Sequence, residues 1–146
     1  MKEFSKVKKY ATIDIGSNAI RLLISNIYIH NSELFTTKNS LVRVPIRLGE
    51  DAFKKGEISK KNISRLLDSM ISFKLLMKVH NVDKYLAYAT SALRSSSNGE
   101  RIIDLIEQKV NIKIQIISGK KEAVLITNNP AFLIKNKTFC FIDVGG

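Results

Sequence analysis

The sequence predicts an α/β protein built on a mixed β-sheet flanked by helices. Three observations carry that expectation. Apolar runs in the N-terminal third have the lengths of strands and are separated by short turns. Later apolar runs switch between helical and strand periods. Two strands end on aspartate and then glycine, at Asp14-Ile15-Gly16 and at Asp143-Val144-Gly145-Gly146. A hairpin start gives antiparallel strands, and helical crossovers give parallel ones, so the sheet is mixed.

Tyr10 to Ile15 reads as a buried strand, Gly16-Ser17-Asn18 as a turn, and Ile20 to Ile29 as a second strand, with a hairpin the simplest connection. His30-Asn31-Ser32 turns the chain into a third strand, Leu34 to Val44, which Pro45 ends. Residues 46–58 read as a loop with room for a short helical turn. Ser59 is placed to cap a long amphipathic helix reaching about His80, because Ile63, Leu66, Leu67, Met70, Phe73 and Met77 recur at three- and four-residue spacing. Tyr85 to Ala89 is a short buried strand, Glu100 to Val110 a helix, Ile112 to Ile117 an alternating strand, and Lys120 to about Asn128 a further helix. Thr138 to Asp143 begins a new strand. It comes after a complete five-stranded unit, so the expected division is a first domain over 1–136 and the opening strand of a second over 137–146.

Composition narrows the function classes. No apolar run approaches the ~20 residues of a membrane helix. The basic start, Met1 to Lys9, lacks the apolar region of a signal peptide, since Asp14 and Gly16 interrupt the apolar stretch after it. The single cysteine, Cys140, lies in the apolar run Phe139 to Ile142, which reads as core packing and fits a reducing cytoplasm. Lysine and arginine number 24 against 13 acidic residues, a formal charge of +11. That balance favours polyanionic partners. It is equally what an A+T-rich coding sequence produces, since Lys, Asn and Ile are abundant together and the lysines are spread along the chain. The charge alone decides between neither reading.

Chemistry points to three segments. Asp14 closes an apolar strand, where a carboxylate needs a metal or hydrogen-bond donors, and Gly16, Ser17 and Asn18 make a turn suited to phosphate oxygens. A strand-end aspartate also caps many ordinary turns. Thr90-Ser91 comes directly after a buried strand and is placed to cap a helical turn, with Arg94 one turn on for a bidentate grip on phosphate. The plainer alternative is a cap with a solvated arginine. Ser118-Gly119-Lys120-Lys121-Glu122 puts Glu122 in a first helical turn at the edge of the sheet where open α/β folds bind ligands. A first-turn glutamate is also favoured by the helix dipole alone. His30 and His80 lie at element ends without metal-ligand spacing.

Taken in order, Asp14-Ile-Gly-Ser-Asn18, Arg47-Leu-Gly-Glu50, Ala89-Thr-Ser-Ala-Leu-Arg94 with Asn98, Ile117-Ser-Gly-Lys-Lys-Glu122-Ala and Asp143-Val-Gly-Gly146 closely resemble the exopolyphosphatase / guanosine pentaphosphate phosphohydrolase family. The resemblance runs from about Tyr10 onward. It implies the actin-like ATPase and sugar-kinase superfamily, whose two domains are each ribonuclease H-like. It also implies Glu122 as the catalytic glutamate that orients or deprotonates water, and Asp14 and Asp143 as the acidic positions beside a Mg2+ ion. Gly16, Ser17, Asn18, Arg94, Gly145 and Gly146 match phosphate-cradling positions. The implied substrates are inorganic polyphosphate and guanosine pentaphosphate, and a homodimer of a longer parent is a further expectation. Three departures stand out. Ala19 replaces a hydroxyl residue, Lys120-Lys121 replaces a more acidic pair, and a Gly-Ser-Thr-Glu continuation would lie beyond Gly146. The expectation is therefore half of an active site, silent without its second wall. An actin-like ATPase or kinase shares the fold and both Asp-x-Gly loops, and a polyanion-binding module would use the lysines. Nucleic acid fits less well, because no aromatic residues interleave with the basic ones as on an RNA-binding sheet.

Overall fold

A computed structural model describes residues 7–30 and 33–127. Its elements are β1 (Lys8–Ile15), β2 (Ile20–His30), β3 (Glu33–Val44), α1 (Leu48–Lys55), α2 (Lys60–Val79), β4 (Lys84–Ala89), α3 (Ser91–Ser95), α4 (Gly99–Val110), β5 (Gln115–Ile116) and α5 (Gly119–Thr127). They form a five-stranded sheet in the order β3-β2-β1-β4-β5. The β1–β2 and β2–β3 pairs are antiparallel; β1–β4 and β4–β5 are parallel. The mixed sheet expected from a hairpin and later helical crossovers is the one observed. The expected strand Thr138 to Asp143, and with it the second domain, lies outside the described residues.

Alternation along β1 decides which face is covered. Ala11, Ile13 and Ile15 are buried beneath the helices, while Thr12 is exposed and Asp14 half-buried on the opposite face. Leu22 and Ile24 of β2 continue the buried row. Helix α2 meets it with Leu66, Met70, Phe73 and Met77, all buried. Each such side chain contributes roughly 1.5–3 kcal/mol through burial. As the sequence predicts, the helix starts at Ser59, whose Oγ accepts the Asn62 N–H at 3.4 Å.

The 46–58 segment holds more structure than a loop. Helix α1 carries Glu50 and Asp51 in its first turn and Lys54 and Lys55 in its last, matching the helix dipole at both ends. Gly56 (φ +75°) closes it in the left-handed conformation that glycine adopts at least cost. Asp51 then ties α1 to α2. Its buried carboxylate accepts from the Ser59 hydroxyl at 2.5 Å, the Ser59 N–H at 3.1 Å, the Asn62 side-chain amide at 2.7 Å and Lys55 Nζ at 3.0 Å. The Ser59 hydroxyl, foremost among these donors, holds the Asp51 carboxyl well below the usual carboxylate range, against the opposing effect of burial.

The expected strand from Ile112 to Ile117 is much shorter. Only Gln115 and Ile116 pair, with Tyr88 and Ala89 at the end of β4. Upstream, Asn111 adopts a left-handed conformation to end α4, and the Lys113 N–H donates to the Tyr85 hydroxyl at 3.1 Å instead of to a strand. The alternating isoleucines still find the core, since Ile112 is buried and Ile114 packs against it. Alternation therefore reported burial here and not ladder pairing.

Candidate active site

The parallel pairing of β1 with β4 sets the ends of both strands side by side, Ile15 opposite Ala89. The turn after β1 is closed by the Gly16 N–H donating to the Ala19 carbonyl at 3.2 Å, and a Cβ on Gly16 would stand only 3.2 Å from that same oxygen. The turn is held from behind as well. Arg47 and Gly49 donate their backbone N–H groups to the Asn18 and Ser17 carbonyls, each at 2.8 Å. Arg47 takes up the left-handed conformation (φ 61°) to do so. The Arg47-Leu-Gly-Glu segment is thus a backbone strap for the Gly16-Ser17-Asn18 turn, a role that residue spacing alone does not disclose.

The second segment touches the first directly. Ser17 Oγ and Ser91 Oγ are 2.8 Å apart, and the Thr90 N–H donates to the Ile15 carbonyl at 3.2 Å. Thr90 does not cap α3 with its side chain. Its hydroxyl lies 3.5 Å from the Ile15 carbonyl instead, drawn there because β4 runs beside β1. Arg94, one turn on, donates to the Ile117 carbonyl at 2.6 Å and stands 3.8 Å from Glu122 Oε2. Its guanidinium therefore joins the second segment to the third. Asn98 does not cap α4 with its side chain either; that side chain accepts from the Ile58 N–H at 2.9 Å and donates to the Ile58 carbonyl at 2.8 Å.

The third segment starts α5. Ser118 Oγ accepts the Lys121 N–H at 3.2 Å, the Glu122 N–H donates to the Ser118 carbonyl at 2.9 Å, and Glu122 sits in the first turn. Asp14, Gly16, Ser17, Asn18, Ser91 and Glu122 line one open cleft of about 560 Å³. Arg94 is not among the lining residues; it supports the cleft through Glu122 and Ile117.

Sequence reasoning missed part of this cleft. Arg21 lies across the hairpin from Asp14 and donates from Nη1 to Asp14 Oδ2 at 2.9 Å. A hairpin register pairing Ile15 with Ile20 puts Asp14 opposite Arg21, so the signal was present in the turn length. Tyr88, Leu125 and Ile126 form an apolar side of the same cleft. Lys121 Nζ lies 5.2 Å from the centre of the Tyr88 ring, within reach of a cation–π interaction. Asp143, Gly145 and Gly146 lie outside the described residues, as does Cys140.

Among the described residues no group of three His, Cys, Asp or Glu side chains could enclose a metal ion. That pattern is compatible with Mg2+, which is usually held by one or two carboxylates with water and substrate phosphates completing the shell. Asp14 and Glu122 offer oxygen donors of the required kind in the cleft, and Arg21 already engages one oxygen of Asp14.

A profile of the Ppx/GppA phosphatase family matches residues 31–146. The chain belongs to that family. The Asp14–Asn18 turn precedes the matched segment and joins the site through the contacts just described. Among curated proteins, the chain is 32% identical over 118 residues to a bifunctional 3-dehydroquinate synthase/phosphatase of Fusobacterium nucleatum, covering 79% of this chain and 18% of that protein. It is 25% identical over 119 residues to exopolyphosphatase 1 of Mycobacterium bovis, covering 80% of this chain and 33% of the relative. Among solved structures, an exopolyphosphatase from Cytophaga hutchinsonii superposes with a TM-score of 0.73 at 33% identity, over 81% of this chain and 36% of that one. The Ppx/GppA family member of Aquifex aeolicus gives 0.73 at 24% identity, over 80% and 37%. The fold of this Ppx/GppA chain is accordingly the ribonuclease H-like fold of the actin-like superfamily. The chain spans well under half the length of each of these proteins.

Proposed function

We propose that this Ppx/GppA chain contributes one wall of a phosphatase site that hydrolyses a terminal phosphoanhydride, with inorganic polyphosphate or guanosine pentaphosphate as substrate. One observation carries the reading: the Gly16-Ser17-Asn18 turn and Glu122, far apart in sequence, line one cleft at the ends of β1 and β5. The names of its relatives, exopolyphosphatase and phosphatase, agree with it. In this reading the turn and Ser91 cradle the terminal phosphate. Glu122 orients a water in line with the bridging oxygen and takes its proton as the new P–O bond forms. The bridging P–O bond breaks, leaving orthophosphate and a chain shorter by one phosphate. Charge is spread over the phosphoryl oxygens throughout, so positioning and electrostatic stabilisation do most of the catalysis.

Asp14, with Asp143 from the second Asp-x-Gly loop, would hold Mg2+, which neutralises phosphate charge when bound. Gly145 and Gly146 would close the cradle from the other side. Arg94 would meet phosphate oxygens while keeping Glu122 in place, and the excess of lysine would draw a polyanion to the cleft. A cytoplasmic location fits this substrate class.

The test is release of phosphate by the full-length protein, with and without Mg2+, from long-chain polyphosphate and from guanosine pentaphosphate. Glu122→Gln should lower kcat by about 10²–10⁴-fold, with KM nearly unchanged, because a base acts mainly in the transition state. Near-normal turnover on both substrates would remove Glu122 from that role.

A further inference from the structure

The strap behind the Gly16-Ser17-Asn18 turn fixes more than the position of that turn. Arg47 stands in the left-handed region (φ 61°, ψ 47°) and is followed directly by Leu48, the first residue of α1. A left-handed residue beside a helical one makes neighbouring backbone N–H groups converge. Here the N–H groups of Arg47 and Gly49 converge on the Asn18 and Ser17 carbonyls, each at 2.8 Å. Ile46 and Leu48, 1% and 0% exposed, key the strap into the core on both sides of Arg47. Among the described residues every peptide bond is trans. In a trans peptide the C=O and the following N–H point in opposite directions. With the Ser17 and Asn18 carbonyls turned back to the strap, the N–H groups of Asn18 and Ala19 face away from it. Neither N–H has an acceptor among the described residues. Both residues line the cleft, and Ala19 is only 2% exposed. A backbone donor left open on so buried a residue points to a ligand, because such groups are almost always paired.

We propose that Arg47 is a positioning residue for the phosphate cradle and acts through its main chain, not its charge. Its left-handed conformation sets both strap donors, and the strap turns the Asn18 and Ala19 N–H groups toward the terminal phosphate. This inference rests on the phosphatase reading of the cleft. The Arg47 guanidinium takes no part: its side chain is 67% exposed, meets Glu50 Oε1 at 3.3 Å and does not line the cleft. Ala19 then serves through its N–H, for which no side-chain hydroxyl is needed.

Residues differ sharply in their tolerance of a φ near 60°. Glycine adopts it freely and asparagine readily, whereas a β-branched residue hardly does so at all. Calorimetric titration of the full-length protein with inorganic tripolyphosphate reads the cradle, every chain also carrying Glu122→Gln so that the probe is not consumed. Arg47→Gly and Arg47→Asn should bind within about threefold of the chain that keeps Arg47, although both lose the charge. Arg47→Ile should bind about tenfold or more weakly, as expected for loss of a hydrogen bond to a charged group. Thermal unfolding shows that each variant is folded at the temperature of the titration, and Arg47→Ala, with an intermediate loss, replaces Arg47→Ile if that chain does not fold. Tripolyphosphate should also slow amide hydrogen exchange over residues 16–19, and do so least in Arg47→Ile. Equal weakening by Arg47→Gly and Arg47→Ile would assign the effect to the guanidinium and overturn the proposal. So would equal binding by all the chains, or no binding by any. The expected split in affinity, with no phosphate released by the protein that keeps Glu122, would refute the phosphatase reading and leave the role of Arg47 standing.

Discussion

Arg94 Nη1 stands 3.8 Å from Glu122 Oε2 and at the same time donates to the Ile117 carbonyl at 2.6 Å. The Ile117 carbonyl belongs to the residue just before the Ser118-Gly119 start of α5. Arg94 thus anchors both the base of the helix that carries Glu122 and, more loosely, the carboxylate itself. Their side chains are about one-third exposed, 34% and 33%, so solvent and an incoming anion reach both.

That arrangement separates two roles for Arg94. If it meets phosphate as well as Glu122, Arg94→Ala should raise KM and lower kcat together, each by roughly tenfold or more, as expected for loss of a charge-assisted pair. Arg94→Lys should recover only part of the loss, because an ammonium cannot reproduce the guanidinium fork. Steady-state kinetics on the full-length protein decide the matter. A fall in kcat with KM unmoved would assign Arg94 to holding Glu122 alone.

Asp51 should make the fold acid-sensitive. Its carboxyl is held low in the folded chain by Ser59, Lys55 and Asn62, so the unfolded state takes up its proton first as pH falls. The stability it contributes is complete above the unfolded value, about 3.9 for aspartate, and drains away below it. Denaturant titrations should show Asp51→Asn losing roughly 2–4 kcal/mol at neutral pH, since three donors and a lysine lose their ionic acceptor. As pH falls from about 4 toward the much lower value of the folded carboxyl, the gap between variant and native chain should progressively narrow. A gap unchanged between pH 7 and pH 3 would contradict the assignment.

Gly99 should tolerate no side chain. A Cβ there would overlap the Leu93 carbonyl, a backbone atom that cannot swing away. Gly99→Ala should therefore cost about 1–3 kcal/mol by overpacking, although alanine is the better helix former. Thermal unfolding measures it; Gly56→Ala, with open space but a φ of +75°, serves as a strain-only comparison. A Gly99→Ala chain as stable as the native one would show that α4 can shift away from α3 freely.

Much of this architecture is legible in one dimension. Strand and helix periods reflect which side chains face a core, so the order of strands and long helices, the start of α2 at Ser59 and the placement of Asp14 and Glu122 at element ends come from local pattern. The same limit explains the misses. The alternation from Ile112 to Ile117 reports burial, yet ladder pairing requires a neighbour's position, and only Gln115 and Ile116 pair with β4, with the Ile117 N–H donating to the Ala89 carbonyl just beyond them. Asp51 lies in an eight-residue helix, too short for its pattern to stand out in the sequence, and its donors come mostly from the next helix and its cap. The contact of Ser17 with Ser91 and the reach of Arg94 to Glu122 join segments brought together by parallel crossovers, and the strap from Arg47 and Gly49 is placed by the antiparallel pairing of β3 with β2. Such contacts leave no periodic trace, because packing of helices on the sheet, and not spacing along the chain, sets their geometry.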